Sequence, residues 1–201
     1  MVLRMIRVLI GGSIEGEAAS ALDRPTLGRV ADTLVAWGSA RKDKLGEGTA
    51  KLCVHALGDP EMPGSVQSLF EAAEAIGRGL RERLAVDFWR LLSRQIDRVS
   101  EARDAQLMAH VARLLDRCAA LSGLSAENMV RGAGWRFLEL GRRLERAIHI
   151  CRLVRTFAGD DANGHDLNLL LDLCDCQISY RTRYLAGLAL APVRDMLLLE
   201  P

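Results

Sequence analysis

The chain has 201 residues, 49% of them hydrophobic and 26% charged, which is enough to bury the core of an ordinary globular domain and too apolar for general disorder. Lys plus Arg number 27 and Asp plus Glu 26, so the net charge of +1 supplies no whole-protein field for nucleic acid or an anionic membrane. The longest apolar runs, Leu169 to Leu171 and Met196 to Leu199, fall far short of the roughly 20 residues that span a bilayer.

Apolar residues recur at spacings of three and four, and strand alternation bounded by turn residues is almost absent. The sequence therefore predicts an all-α protein, a multi-helix bundle of about six to eight helices forming one domain over residues 1–201. A first amphipathic helix covers about residues 2–10. Arg4 and Arg7 interrupt its apolar positions, unlike a signal peptide, and Gly11-Gly12 ends it. SIEGEAAS reads as a loop, and DRPTLGRVADTLVAWG as a helix with Pro25 in its first turn, where a missing N–H does no harm. Lys42 to Glu47 is a polar connection before a short helix around Leu52. GDPEMPG, with two prolines and two glycines in seven residues, is the strongest break in the chain.

Ser65 is placed to cap a long helix, VQSLFEAAEAIGRGLRERL, whose stripe is Val66, Leu69, Ala73, Ile76 and Leu80. VDFWRLLSRQIDRV carries a second stripe of Phe88, Leu91, Leu92, Gln95 and Val99. Asp104 to Leu121 form another helix, ended by Ser122-Gly123, and Ser125 starts the next segment. After Gly132 and Gly134 comes a helix that runs to about Phe157. AGDDANG links it to a helix over Asp166 to Leu185, with a break near Gln177, and Pro192 opens a final short helix.

Five cysteines, Cys53, Cys118, Cys151, Cys174 and Cys176, are an odd number without metal-ligand spacing, which fits a reduced, cytoplasmic setting. Cys174 and Cys176, two apart on a helix, point about 200° from each other and cannot share one metal tetrahedrally. The four histidines fall in separate segments. No metal site or cofactor is expected.

The segment RRLER, Arg142 to Arg146, concentrates charge on an otherwise apolar helix. Phe137, Leu140, Leu144, Ala147, Ile148, Cys151 and Val154 form its stripe, the expected core face. Arg142, Arg146 and His149 lie about 140–160° from Leu144, with Glu145 on the shoulder. Two readings of the charges stand. They form a solvated flank laced by pairs such as Glu139 to Arg143, or a polar network shared with LCDCQISYRTRYL, where Tyr180 and Tyr184 occupy one face. In the second reading Glu145 accepts from Arg181 or another arginine, because an unpaired buried carboxylate would cost several kcal/mol. The excess of arginine in the set Arg142, Glu145, Arg146, Tyr180, Arg181 and Tyr184 would suit a phosphate or carboxylate; the other outcome is a network that only fixes helix register.

GWRFLELGRRLERA, with the preceding ENMVRG, resembles the signature of the alpha-E domain, a bacterial all-helical domain named for its Glu-Arg motif, here Glu145-Arg146. GDPEMPGSVQSLFEAAEAIGRGLRERLAVDFWRLL, LCDCQISYRTRYL and PVRDMLLLEP agree, spread from about residue 58 to the C-terminus. The resemblance implies partnership with circularly permuted ATP-grasp proteins and transglutaminase-like peptidases, hence a role in making or modifying peptide or amide bonds. Family members usually open with an earlier Glu-Arg helix and continue beyond LLLEP, so the chain reads as cut at both ends, with an apolar strip bared for self-association or a partner. The expected function is a non-catalytic accessory or interaction domain. An enzyme or ligand-binding domain with an Arg/Glu/Tyr anion pocket, and a purely structural helical oligomerisation scaffold, are the alternatives. Nucleic-acid binding is disfavoured because arginines alternate with acids along the helices.

Overall fold

A computed structural model describes residues 1–14, 23–97, 99, 103–185 and 187–199, with only the helical backbone described for residues 12–14. Among these residues there are ten α-helices and no strand: α1 (Val2–Ile14), α2 (Arg24–Ala36), α3 (Thr49–Gly58), α4 (Val66–Gly79), α5 (Val86–Leu92), α6 (Asp104–Asn128), α7 (Ala133–Phe157), α8 (Gly164–Cys174), α9 (Gln177–Arg183) and α10 (Leu190–Leu198). Short 3-10 turns cover Lys42–Glu47 and Arg81–Arg83. The all-α expectation holds, and the count of six to eight is corrected upward to ten, the segment Asp166 to Leu185 forming two helices, α8 and α9. Most of SIEGEAAS lies outside the described residues. The chain divides into two compact units, one of Val2–Ala21 with Leu27–Trp135, the other of Met1, Leu22–Thr26 and Arg136–Pro201.

In the first unit α1 packs on α3 and α6, and Met5, Ile6, Ile10, Leu52, Cys53, Leu107 and Val111 are buried there. Burial drives the Cys53 thiol up to about 12, so it behaves as a small core hydrophobe. The predicted stop at Gly11-Gly12 fails: α1 runs on to Ile14. Each mid-helix glycine costs about 1 kcal/mol relative to alanine, which burial of Leu9 and Ile10 outweighs. The predicted break at Ser122-Gly123 also fails. Ser125 lies inside α6 and its hydroxyl donates to the Ser122 carbonyl at 2.8 Å, a local bond that leaves the helix intact.

Ser65 caps α4 as expected, its Oγ accepting from the Ser68 N–H at 3.2 Å. The helix turns its predicted apolar stripe largely outward, however. Val66 is buried, whereas Leu69, Ala73, Ile76 and Leu80 are exposed, and Gly77 takes the inner position against α5. A β-carbon there would stand 2.8 Å from Leu92 Cδ2. The following segment is helical only to Leu92, leaving Gln95 and Val99 outside the helix. It stops where Arg117 of α6 donates to the carbonyls of Leu91 and Leu92, both at 2.9 Å, satisfying acceptors that a longer helix would have used. The same guanidinium stacks 4.3 Å from the centre of the Phe70 ring.

The second unit is built around α8, where Leu167, Leu169, Leu170, Leu171 and Leu173 are all buried. A helix that is apolar all round must be covered all round. Leu153, Val154 and Phe157 of α7, Tyr180 of α9 and Val193 of α10 complete this core. The break near Gln177 appears as Asp175 at φ 61°, a left-handed cap between α8 and α9.

Gly64 fixes the GDPEMPG turn. Its N–H donates to the Gly38 carbonyl at 3.0 Å, and an added β-carbon would lie 2.6 Å from the Trp37 carbonyl oxygen. Gly64→Ala is expected to lower unfolding free energy by about 2 kcal/mol in denaturant titration. Gly123→Ala, with open space around it on exposed α6, should raise it by about 0.5–1 kcal/mol in the same assay.

Candidate functional site

The rotation of α7 is set by its last two turns. Nine residues at about 100° each place Leu153 half a turn from Leu144, and Leu153 is fully buried. Phe157 and Val154 extend that inward side. The predicted core stripe therefore faces solvent, with Phe137 73%, Leu140 52%, Leu144 55% and Ile148 51% exposed, and Ala147 and Cys151 exposed beside them. Only Val154 of the expected stripe is buried.

The charged side consequently turns toward the unit. Arg146 Nη2 donates at 3.2 Å to the carbonyl of Cys174, the last residue of α8, which also accepts from Cys176 Sγ at 3.3 Å, so a cation sits at a helix C-terminus where it complements the dipole. Arg142 Nη1 donates to Glu139 Oε1 at 2.7 Å, and Arg143 stands 3.8 Å from the same carboxylate. Glu145 is exposed and faces His149 at 4.0 Å, so its partner comes from its own helix rather than from Arg181. Arg181 is exposed and forms no ion pair among the described residues. Burial lowers the His149 pKa, which keeps that pairing weak at neutral pH.

The two tyrosines do come together, with ring centres 5.1 Å apart. Tyr180 hydroxyl donates to the Gly187 carbonyl at 3.3 Å and accepts from the Ala189 N–H at 3.2 Å, holding the connection to α10. Tyr184 hydroxyl donates to Asp195 Oδ2 at 2.6 Å, and the Arg183 guanidinium lies 5.6 Å from its ring centre. Of the six residues singled out, Arg146, Tyr180 and Tyr184 thus fasten α7, α8, α9 and α10. Arg142 bonds to Glu139 and Glu145 faces His149, both on their own helix, and Arg181 is exposed.

A polar cluster that periodicity did not reveal lies at the start of α8. Asp166, 2% exposed, accepts from Thr26 Oγ1 at 2.7 Å and from the Asn163 N–H at 3.1 Å. Asn163 Oδ1 in turn accepts from the N–H groups of His165 and Asp166, at 2.8 and 3.0 Å, and its amide donates to Asp23 at 3.1 Å. The side-chain bond from Thr26 and its neighbours holds the Asp23 carboxyl below its usual range. An Asn followed three residues later by Asp, within the stretch read as a linker, was the available signal.

In the first unit GDPEMPG supplies a second cluster. Asp59 Oδ2 lies 3.3 Å from Arg41 Nε and 3.6 Å from His55 Nδ1, its Oδ1 accepts from the Glu61 N–H at 3.0 Å, and Glu61 also binds Arg41. These groups border a cavity of about 530 Å³ that His110 and Asp97 also line. His110 is 5% exposed, and its Nδ1 lies 3.4 Å from Arg113 Nη2, which can only donate. Burial and the neighbouring Arg113 cation both favour the neutral ring. Among the described residues there is no group of three or more His, Cys, Asp or Glu arranged to hold a metal, and none of the five cysteines is in a disulfide.

These features define an all-helical domain whose central Glu-Arg pair lies on one exposed helix, with the glutamate outward and the arginine capping its neighbour. Residues 1–201 match the Alpha-E model, described as a predicted alpha-helical domain with a conserved ER motif, and the chain belongs to that family. It is 27% identical to an uncharacterised protein of Mycobacterium bovis and to two of Mycobacterium tuberculosis, each match covering 71% of this chain and 18% of the relative. The chain thus spans under a fifth of the length of these curated relatives. No solved structure matches it. No helix among the described residues is long and apolar enough to cross a membrane.

The two members of the Glu-Arg pair should separate on substitution. Arg146→Ala is expected to cost about 1–2 kcal/mol of stability by loss of the charged bond to Cys174, whereas Glu145→Ala should change it by less than about 0.5 kcal/mol. Chemical denaturation of both variants checks this. Burial, then the Arg113 charge, lowers the His110 pKa, so the unfolded chain binds the proton more readily than the fold. Stability is then level above about pH 6.5 and falls as pH drops below it, and His110→Gln should flatten that slope. His149, lowered chiefly by burial, adds a residual slope of the same sign.

Proposed function

We propose that this domain is a non-catalytic accessory or interaction module of an ATP-grasp peptide- or amide-ligating system, with a circularly permuted ATP-grasp protein and a transglutaminase-like peptidase as its partners. The observation that carries this reading is the outward apolar stripe of α7. Four large side chains in a row, each more than half exposed, form the kind of contiguous surface that a soluble chain normally covers. The partners' identity rests on the resemblance in the Glu-Arg segment and the GDPEMPG stretch.

The arrangement of the six predicted residues favours this over an anion-binding enzyme. Arg146, Tyr180 and Tyr184 spend their polar groups on backbone and side-chain acceptors within the fold, and Arg142 on Glu139. Their role in this reading is to hold α7 in the rotation that presents the stripe. Co-expression of the domain with the ATP-grasp protein of the same organism, followed by size-exclusion chromatography, should give one co-eluting complex. Separate elution of the two at micromolar concentration would overturn the assignment.

A further inference from the structure

Between Arg136 and Phe157 α7 carries six arginines and two glutamates. By the 100° turn per residue, Arg136 and Arg143 run along one edge of the Phe137, Leu140, Leu144, Ile148 stripe. Arg152 lies along the other edge and Arg155 at the stripe's C-terminal end, and all four are exposed. Glu145 is the one acid on these edges, and it faces His149. Glu139, on the inner side, is shared between Arg142 and Arg143. The stripe is an apolar seam about three turns long with basic margins.

This charge pattern selects among occupants. A second copy pairing through the same seam would bring eight arginines against two glutamates along the joint margins, so self-pairing adds like-charge repulsion to the gain from burying the seam. A helix with leucine or isoleucine at spacings of three and four and acids on either side satisfies both parts, apolar against apolar and carboxylate against guanidinium. We propose that α7 is the docking site for an acidic amphipathic helix of a partner protein, laid along Phe137, Leu140, Leu144 and Ile148 with its carboxylates on Arg136 and Arg143. This rests on the reading of the domain as an interaction module and names the chemistry of what it binds. Exposed margins make the association salt-sensitive.

The test uses the whole chain and two fluorescein-labelled designed helical peptides of about three heptads, with identical leucine seams, one with glutamate and one with lysine on the flanking positions. In fluorescence anisotropy the glutamate peptide should bind at least tenfold more tightly than the lysine peptide, and weaken as salt is raised. Leu144→Asp should abolish binding without changing the thermal melt, because Leu144 is more than half exposed. The double variant Arg136→Glu/Arg143→Glu should reverse the preference between the peptides. Equal affinity for both peptides, no binding of either, or a dimer in sedimentation velocity that Leu144→Asp dissociates would each overturn the proposal, the last by assigning the seam to a second copy. Co-elution of the ATP-grasp protein with both wild type and Leu144→Asp, alongside failed peptide binding, removes the seam while leaving the accessory reading. The expected peptide behaviour without ATP-grasp co-elution removes that partner and leaves the seam.

Discussion

Burial of Leu153, Val154 and Phe157 fixes the rotation of α7, and the character of the Glu-Arg site follows from it. Once those three side chains enter the core around α8, the remaining turns of a straight helix have no freedom in which way they face. Arg146 is carried toward the end of α8, where it donates to the Cys174 carbonyl, and Glu145 is carried to the outside. The pair therefore divides its labour between neighbouring residues: one charge works on the fold and the other sits at the margin of a surface.

Tyr180 and Tyr184 extend the same logic along the chain. Their hydroxyls hold the segment after α9 and the helix α10, through Gly187, Ala189 and Asp195. A polar set of this kind supplies specificity of packing through bonds to backbone and fixed side chains, and it leaves little unspent hydrogen-bonding capacity for a ligand.

Much of the fold was legible in the sequence because helical periodicity is strong and the caps are explicit. The Ser65 cap, a break near Gln177 and the extent of α7 followed from local rules. The failures have one cause: periodicity finds an apolar face but does not say what covers it. The apolar stripe of α4 and that of α7, the latter assigned to the core, both lie largely in solvent, because Gly77 in one helix and Leu153 in the other decide which side packs. Local glycine rules failed for a related reason, since long-range packing on α6 outweighs the preference of Gly11-Gly12 to stop a helix. In the candidate site the clustering of the tyrosines was readable from their spacing of four. The capping of α8 by Arg146 was not, because it depends on a carbonyl 28 residues away. Asp166 and Thr26 were missed for the same reason.

The hydrogen bond between Thr26 and Asp166 joins residues 140 positions apart and anchors a short early segment to a unit otherwise made from residue 136 onward. During synthesis that segment emerges long before its acceptor exists. The intervening residues, which make up most of the other unit, have every local contact they need before Asp166 leaves the ribosome. Any collapse of these residues before then would shorten the effective loop that the bond must close, and so reduce the entropy lost in closing it. The third decade of residues can therefore reach its buried partner only once the seventeenth has been made.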